Sequence, residues 1–525
     1  MAAYVNTMKD FKTKENSELL SKVKDLLPEL YRKSISPLNC IEISKTEGKG
    51  WAVMSRKSYI PEEQIRLQRG TPVCFEFSNH QVGYIRFFLE VVGSPLDAPV
   101  HLRIKLGEIP DELGEDTKDY QGWLSSSWLQ EEYIHVDVAP GWVELPRRFA
   151  YRYLSIEILN ESLKYQISIT NIISQTVTSG NEAVIKPLPD ATTPLIREMD
   201  TAAIRTLRDC MQLVFEDGPK RDRRLWIGDL RLQALTNYYT FQNIELVKRC
   251  IYMFAGVTGD DDRVGACFFI EPKLQVDDTV LFDYSLFFIS CLYDYYEATK
   301  DKSFLKELWD IALRQIELSK ARLGDDGIVK DSEDWWCFLD WGDNLNKQAG
   351  AQGVFLYTVK QAIYLAEIME DEQTFTMLQD LCKTLRGAAL NKLWDEQQQV
   401  FVSGEARQVS VVSQVWMLLS GILEKEQANT LIERLLAKEI PLMLSTPYMY
   451  HYYVEALFQY GRNEEAGKIM KEYWGGMLAQ GADTFWELYN PEDESFSPYG
   501  SKVINSYCHA WSCTPSYFIR KYHLL

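Results

Sequence analysis

The sequence has neither a long hydrophobic run nor a long basic run. Uninterrupted apolar stretches stay below the roughly 18 residues that a membrane span requires, and residues 1–22 are polar, without the apolar core of a secretory signal. The 56 Lys and Arg are outnumbered by 75 Asp and Glu, which gives a formal net charge of −19. Nucleic acids and anionic membranes need a basic surface as their partner. We therefore expect a cytoplasmic protein that binds neither.

The sequence also lacks the common motifs of metal and cofactor sites. Its ten Cys include no Cys-x-x-Cys pair, and none of its six His lies within metal-ligand spacing of another. A Gly-rich phosphate loop, a His-Glu-x-x-His helix and a Gly-x-Ser-x-Gly turn are absent as well. We expect reduced cysteines, no bound metal and no cofactor.

Aromatic residues, in contrast, are plentiful. They make up 13% of the chain, with 14 Trp and 29 Tyr, and many stand beside Asp, Glu or Gly rather than on apolar stripes. Sugars present flat C–H faces and a rim of hydroxyls, so carbohydrate sites combine aromatic platforms with carboxylates. For any single Trp, a place in the core is the simpler interpretation. The combination favours a small neutral partner, such as a glycoside or an oligosaccharide.

The hydrophobic periodicity changes near residue 185. Before this point, alternation with a period of two, as in residues 102–106, predicts strands. The strands predict an antiparallel β-sandwich at residues 40–178, which follows a helical leader at residues 1–39. A Ser, Gly and Pro-containing linker is expected at residues 179–190.

Beyond the linker the periodicity is helical. Ile204, Leu207 and Met211 share one helix face, for example. Further helices are predicted at residues 283–298, 303–322, 374–393, 409–421, 426–437, 448–459, 463–478 and 508–521. Helix pairs joined by loops are typical of a closed toroid of about a dozen helices, and an open solenoid is disfavoured because no fixed-period repeat is present. We predict a multidomain protein with an all-α (α/α)6 barrel at residues 191–525.

Four clusters of charged and aromatic residues lie in the helical half. Residues 216–229 form a loop with four acids, four bases and a Trp, and residues 481–487 end in an acid directly behind a Trp. Residues 334–343 contain three Trp and three Asp, and residues 509–511 read His-Ala-Trp. Charges are costly to bury unless they are paired or used. A solvated salt-bridge network, a helix N-terminal acid or a satisfied polar His are the alternatives.

The first two clusters carry a resemblance to a known enzyme family. Residues 217–229 read DGPKRDRRLWIGD, and this run resembles the motif Asp-Cys-Pro, Arg-Glu-Arg and Gly-Trp-x-Gly-Asp of glycoside hydrolase family 78, the bacterial α-L-rhamnosidases. Residues 481–487, GADTFWE, are similar to the second motif of that family, and residues 75–77 and 151–153 are similar to its jelly-roll domain. The resemblance covers about residues 45–520. It implies hydrolysis of a terminal α-L-rhamnoside, or a similar deoxyhexoside, with inversion at the anomeric carbon.

By position in these motifs, the resemblance implies that Asp222 is the general acid and Glu487 the general base. It also implies that the sugar is held by Asp217, Arg221, Trp226, Asp229, Trp341, Trp486 and His509. The chain departs from the motif in two places, because the acid of the family is Glu and a Cys stands where this chain has Gly218. A second register of the motif puts the acid position at Arg223.

Two other functions fit the sequence. A non-catalytic carbohydrate-binding protein with a degenerate family 78 site would keep the pocket without turnover. A helical scaffold would present its Trp residues on a surface for protein partners. The enzyme and the binder both predict that the aromatic residues converge with Asp217, Asp229 and Glu487 in one cavity. The exposed β-sandwich offers a surface for a homodimer.

Overall fold

The structure is a computed structural model that describes residues 12–47, 50–331, 337–342, 344–493 and 495–525. Strands dominate the chain up to residue 178 and helices dominate the chain after it, so an antiparallel β-domain precedes a helical domain. No helix in the described ranges is both long enough and apolar enough to cross a membrane.

The first part of the chain contains eleven strands and two helices in its described residues. The elements are β1 (Thr13–Glu15), α1 (Ser17–Asp25), β2 (Tyr31–Ile35), β3 (Asn39–Thr46), β4 (Gly50–Ser58), β5 (Ile65–Arg66), β6 (Val73–Gly93), β7 (Val100–Gly107), α2 (Pro110–Gly114), β8 (Glu131–Val136), β9 (Gly141–Glu144), β10 (Phe149–Asn160) and β11 (Tyr165–Thr178). Strands β2 to β11 form one hydrogen-bonded sheet whose main path is β2-β11-β6-β10-β7-β8.

The long strand β6 organises this sheet, because it pairs with β3, β9, β10 and β11, always antiparallel. Alternate side chains of the strands point to one side. Phe75 and Phe77 of β6, Leu102 and Ile104 of β7 and Ile156 of β10 are therefore fully buried in one shared core. The period-two pattern of the sequence marks the residues that build this core.

The helical domain contains twelve helices and six short strands in its described residues. The elements are α3 (Pro194–Cys210), β12 (Leu225–Trp226), α4 (Ile227–Tyr239), α5 (Ile244–Gly256), β13 (Val257–Gly259), β14 (Cys267–Phe269), β15 (Gln275–Val276), α6 (Phe282–Thr299), α7 (Lys302–Lys320), α8 (Gln348–Met369), α9 (Glu372–Lys392), β16 (Trp394–Asp395), β17 (Val400–Phe401), α10 (Val411–Leu419), α11 (Lys425–Leu436), α12 (Pro447–Gln459), α13 (Asn463–Ala479) and α14 (Pro515–Lys521).

The helices pack in two sets. Helix α4 contacts α6, and the contacts continue from α6 to α8, from α8 to α10 and from α10 to α12, while α14 contacts α4. Each helix of this first set also packs against a helix of the second set, namely α5, α7, α9, α11, α13 or α3. Helices α4, α8 and α10 are buried along most of their length, because they have neighbours on several sides.

The N-terminal leader is not helical throughout, which corrects the prediction for residues 1–39. Helix α1 ends at Asp25, because Pro28 disfavours helical geometry in the residue before it. Strand β2 then pairs with β11, so the sheet begins before residue 40. Strand β1 pairs with β13, and α1 packs against α5, so the described part of the leader contacts both domains.

The last helix is shorter than the predicted range of 508–521. Helix α14 begins at Pro515, whose fixed φ angle suits the first turn of a helix. Residues 508–514 form an irregular segment with a single short 3-10 turn at Ala510–Ser512. His509 therefore lies on an irregular segment before the helix rather than at the start of the helix.

A buried ion-pair network joins the two domains. The ammonium of Lys220, in the helical domain, is fully buried and lies 3.3 Å from Glu108 Oε2 and 3.1 Å from Glu112 Oε2 of the β-domain. Glu108 Oε2 also accepts a hydrogen bond of 2.7 Å from the backbone N–H of Tyr507. Glu108 Oε1 lies 3.1 Å from Nε2 of His80, which is also buried. The network holds the chain around Lys220 against the β-domain.

This network predicts that Lys220→Met destabilises the protein. Glu112 loses its counter-ion and Glu108 keeps only His80, and removal of one partner of a buried pair costs about 3–5 kcal/mol in the free energy of unfolding. We expect the lower end of this range, because burial raises the pKa of Glu112 to about 7 and this group can take up a proton. Urea and thermal unfolding, followed by tryptophan fluorescence, measure the change.

The matched control is Lys300→Met. It removes an ion pair with Glu297 in which both side chains are well exposed, and such pairs contribute little to stability. Equal unfolding midpoints for the two variants would contradict a stabilising role of the buried network.

Candidate active site

A cavity of about 820 Å³ opens in the helical domain. Its walls come from the loop between α3 and α4, the start of α4, the start of α6 and the chain just before it, the segment before α8 and the chain between α13 and α14. Eight of the nine predicted site residues line it, namely Asp217, Arg221, Asp222, Trp226, Asp229, Trp341, Glu487 and His509.

Trp486 does not line the cavity. Residues 485–487 run beside residues 506–509, with hydrogen bonds from the Glu487 N–H to Ser506 O and from the His509 N–H to Phe485 O, both of 2.9 Å. In such a strand-like pairing, successive side chains point to opposite sides. Glu487 faces the cavity, while the Trp486 ring packs on Tyr489 and Tyr507.

This placement corrects the prediction that Trp486 helps to hold the sugar. Tyr284, Phe338 and Trp511 line the cavity in addition to the predicted Trp226 and Trp341. The Phe338 and Trp511 rings are stacked with their centroids 5.8 Å apart. The aromatic wall is therefore built mainly from residues that are distant in sequence.

Residues 216–226, which we call the site loop, hold Asp222 towards the cavity. Asp222 and Arg223 have φ angles of 64° and 55°, a left-handed conformation that Asp tolerates better than most residues. The loop is closed at its base, because the Asp217 N–H donates to the Arg224 backbone oxygen and the Arg224 N–H donates to Asp217 Oδ1, both at 2.9 Å. Arg223 points away from the cavity and donates to the backbone oxygen of Arg148.

The site loop has Gly218 where the motif of the family has Cys. A Cβ atom at this position would lie 2.9 Å from Ser506 Oγ and 3.5 Å from the ring of His509. Ser506 therefore fills the space that a larger side chain at position 218 would need. The departure from the motif has a steric explanation in this chain.

Glu487 is surrounded by hydrogen-bond donors. Its Oε1 accepts a hydrogen bond of 2.5 Å from the Tyr499 hydroxyl, and its Oε2 accepts from the Arg221 guanidinium and from the Ser506 N–H. Burial opposes ionisation, but the charge of Arg221 and these donors outweigh it and lower the pKa of Glu487 to about 2. The carboxylate is therefore ionised throughout the physiological range.

Arg221 lies between the two carboxylates that the sequence singles out. One of its terminal nitrogens bonds to Glu487, and the other lies 3.5 Å from Asp222 Oδ2. The guanidinium also stacks on the Tyr499 ring, 4.6 Å from its centroid. A single cation thus fixes the relative placement of Asp222 and Glu487.

The pKa values of Asp217 and Asp229 are shifted in the opposite direction from the pKa of Glu487. Burial, followed by the nearby negative charges, raises the pKa of both carboxyls well above the usual value. Asp229 Oδ1 and His509 Nδ1 lie 3.7 Å apart, and neither has a hydrogen-bond partner within the described part of the chain. Burial lowers the pKa of His509 to about 4, so its ring is neutral at pH 7. These groups can exchange hydrogen bonds with the hydroxyls of an uncharged ligand.

Asp340 lines the cavity although the sequence assigns it no role. Its carboxyl accepts hydrogen bonds from Thr446 Oγ1, from the Ser445 N–H and from the Trp341 N–H, at 2.7, 2.8 and 2.9 Å. Burial raises its pKa to about 7. The cluster of Trp and Asp at residues 334–343 was the signal for it, but Asp334, Trp335, Trp336 and Asp343 of that cluster lie outside the described residues.

Tyr499 is the site residue that no sequence signal marks. It lies after α13 in a segment rich in Ser, Pro, Asp and Glu, which has no periodic pattern. Only the fold brings its hydroxyl to Glu487 and its ring beside Trp341, with centroids 6.2 Å apart.

Among the described residues, His80, Asp209 and Cys508 are close enough together to hold a metal ion, and they do not line the cavity. The His80 nitrogens lie 2.7 Å from Asp209 Oδ2 and 3.1 Å from Glu108 Oε1. Although burial opposes protonation, these carboxylates help to raise the pKa of His80 well above its usual value. A protonated imidazole does not bind a metal, so this cluster is better described as part of the ion-pair network between the domains.

Two family models match the chain. The model of the glycosyl hydrolase family 78 alpha-rhamnosidase N-terminal domain matches residues 37–176, and that of the bacterial alpha-L-rhamnosidase 6 hairpin glycosidase domain matches residues 190–522. A search of curated proteins gives no match.

Several solved structures are similar to the chain. A rhamnosidase from Klebsiella oxytoca with rhamnose bound is 45% identical, with a TM-score of 0.95, and the similarity covers 98% of this chain and 100% of that one. A family 78 rhamnosidase of Bacillus sp. GL1 is 20% identical, with a TM-score of 0.71, over 88% of this chain and 49% of that one. An α-L-rhamnosidase of Streptomyces avermitilis complexed with L-rhamnose is 16% identical, with a TM-score of 0.66, over 94% and 44%.

The last two similarities concern the fold alone, and this chain spans about half of the length of those proteins. The first similarity extends over the whole chain. The two family models together match most of the β-domain and nearly all of the helical domain. The chain belongs to glycoside hydrolase family 78.

Proposed function

We propose that the protein is an α-L-rhamnosidase that releases a terminal α-L-rhamnosyl residue from a glycoside by an inverting acid/base mechanism. One observation carries this proposal. Asp222 and Glu487 line one cavity on either side of Arg221, in a chain that is 45% identical over its length to a rhamnosidase with rhamnose bound.

The architecture supports this proposal. We propose that α3–α14 form an (α/α)6 barrel, with α4, α6, α8, α10, α12 and α14 as the inner helices, and that the β-domain is a jelly-roll-like sandwich. The succession of contacts between the inner helices, each with an outer partner, supports the barrel. We propose domain boundaries at residues 40–178 for the sandwich, 179–190 for the linker and 191–525 for the barrel. Strand β2 is an exception, because it belongs to the sheet but lies before residue 40. The cytoplasmic location and the homodimer stay predictions.

In the proposed reaction, Asp222 donates its proton to the glycosidic oxygen while Glu487 takes a proton from a water molecule. The oxygen of this water bonds to the anomeric carbon from the face opposite to the leaving group, so the configuration inverts. Inverting enzymes separate the two carboxyl groups by about 6.5–9.5 Å to admit the water. A pKa of about 2 keeps Glu487 in the ionised form that this role requires.

The other groups of the cavity bind the sugar in this proposal. Asp217 and Asp229 have raised pKa values, so their carboxyls can donate as well as accept hydrogen bonds. His509 is neutral and contributes a further polar atom. Trp226 and Trp341 cover the apolar face of the ring. A deoxysugar, which combines hydroxyls with a methyl group, suits this mixed wall.

The mechanism predicts distinct losses for Glu487→Gln and Asp222→Asn. General acid or base catalysis contributes about 10²–10⁴-fold to the rate, so each variant should lose kcat within this range. Glu487→Gln should affect all rhamnosides equally. Asp222→Asn should lose less with p-nitrophenyl α-L-rhamnopyranoside than with rhamnosyl-glucose, because p-nitrophenolate leaves without protonation. Steady-state kinetics on both substrates measures the difference, and NMR of the first product formed reports inversion.

The control variant is Glu464→Gln, an exposed acid in the first turn of α13, which should leave both rates unchanged. Turnover that survives both site substitutions would refute the residue assignment. A wild-type protein that turns over no aryl glycoside, yet gains thermal stability from sugars, would instead be a carbohydrate-binding protein.

The hydrogen bond from Tyr499 to Glu487 predicts a pH effect of Tyr499→Phe. The pKa of Glu487 is lowered, so activity is present above this pKa and is lost as the pH falls through it. A hydrogen bond to a charged group contributes about 1.5–3 kcal/mol, which corresponds to about 1–2 pKa units. The acid limb of kcat/KM should therefore move to higher pH by about this amount, with little change in rate near pH 7.

Tyr507→Phe serves as the control, because the Tyr507 hydroxyl donates to the backbone oxygen of Lys502 and not to Glu487. Its pH profile should match that of the wild type. An acid limb in Tyr499→Phe that stays in place, or that moves to lower pH, would rule out the role of this hydroxyl.

A further inference from the structure

Trp123 is a large aromatic residue of the β-domain that faces solvent, with 60% of its surface exposed. It lies between α2 and β8. Its neighbours in the same loop pack inwards, because Tyr120, Leu124, Trp128 and Leu129 contact a cluster that includes Tyr499. Trp123 is therefore an exposed aromatic side chain in a loop whose neighbouring hydrophobic residues pack inwards.

Two hydrogen bonds attach Trp123 to the chain that forms the cavity wall. Its indole N–H donates to Pro498 O at 2.9 Å, and its backbone N–H donates to Tyr499 O at 3.0 Å. Both bonds cross from the β-domain to the helical domain. The ring is thereby held in one place at the surface, which is the preorganisation that a binding platform needs.

Trp123 continues a row of aromatic rings that begins inside the cavity. Phe338, Trp341 and Tyr499 line the cavity, with centroids 5.5 Å apart for the first pair and 6.2 Å apart for the second. The Trp123 ring lies 5.7 Å beyond Tyr499 and is not part of the cavity lining. We call these four residues the aromatic row. Trp341 is itself 36% exposed, so the row reaches the surface at two rings.

The spacing of the row matches the size of a ligand with several rings. Each step between neighbouring rings is about the width of one pyranose. If the rhamnosyl ring contacts Trp341, the first ring of the leaving group lies at Tyr499 and the second ring extends towards Trp123. The loop around Trp123 also exposes Gln121, Ser125, Ser126 and Ser127. Amides and hydroxyls beside an aromatic face suit a sugar, which presents hydroxyls around a flat apolar face.

We infer that Trp123 forms a subsite for the second ring of a carbohydrate leaving group. This inference rests on the proposed function and narrows its substrate class to rhamnosyl oligosaccharides whose leaving group has two or more sugar rings. Trp123 acts in binding, so its substitution should change KM for long substrates. The β-domain then contributes directly to substrate selection.

The experiment compares two substrates in Trp123→Ala. One is p-nitrophenyl α-L-rhamnopyranoside, whose leaving group has one ring, and the other is rhamnose α-linked to a disaccharide. An aromatic contact contributes about 0.5–1.5 kcal/mol, so KM for the trisaccharide should rise by about 2–13-fold. KM for the aryl glycoside and kcat for both substrates should change by less than about twofold. Trp123→Phe should restore part of the affinity.

Trp142→Ala is the matched control, because Trp142 is a second exposed Trp of the β-domain that contacts Phe88 and Arg86 and does not line the cavity. It should affect neither substrate. Equal losses for both substrates in Trp123→Ala, or a fall in kcat, would mean that Trp123 only supports Tyr499 and would overturn the inference. A flavanone rhamnosylglucoside serves as a third substrate. A rise in its KM in Trp123→Ala without a rise in KM for the trisaccharide would overturn the carbohydrate assignment.

The inference and the proposed function can fail separately. If the wild-type protein hydrolyses no rhamnoside, the proposed function fails. Calorimetric binding of the trisaccharide to the wild type and to Trp123→Ala then decides the subsite. Equal affinities would overturn the inference, and weaker binding by the variant would support it.

Discussion

The fold depends on a physical constraint, namely that charges buried between its two domains must all be paired. Lys220 satisfies this constraint through ion pairs with Glu108 and Glu112 and through hydrogen bonds to the backbone oxygens of Val503 and Asn505. A buried ammonium tolerates few alternative arrangements, because each lost acceptor leaves a charge without compensation. The next residue of the chain is Arg221, which holds Glu487. The ion-pair network between the domains therefore fixes the geometry of the site loop.

The same cavity stabilises carboxyl groups in opposite protonation states, and the cause is the distribution of donors. Glu487 receives hydrogen bonds from Arg221, Tyr499 and Ser506, and its pKa falls to about 2. Within the described residues, Asp229 has no Lys or Arg at ion-pair distance, and burial raises its pKa. Pairs of titratable groups whose surroundings separate their pKa values are typical of acid/base sites. An ionised base can thus stand beside neutral groups that bind hydroxyls.

Local sequence patterns correctly predicted the features that depend on residues close together in the chain. The alternation in β7 and the helical periodicity of α3 reflect side chains that face a nearby core, and the family resemblance led to eight residues that line one cavity. The patterns failed where contacts between segments distant in sequence determine the structure. Strand β2 exists because it pairs with β11, and Trp486 turns away because its segment pairs with residues 506–509. Tyr499 has no local pattern, so only the fold identifies it.

Beside the contacts of Arg148 with the site loop, two further sets of contacts from the β-domain converge on one segment of the helical domain, residues 498–507. Glu108 holds this segment through Tyr507 and through Lys220, and Trp123 holds it through Pro498 and Tyr499. The segment in turn supplies the Tyr499 hydroxyl and the Ser506 N–H to Glu487. A helical domain without the β-domain would expose Lys220 and leave this segment without its supports. The proposed base therefore depends on a domain that contributes no residue to its first contacts, and the two domains form one functional unit.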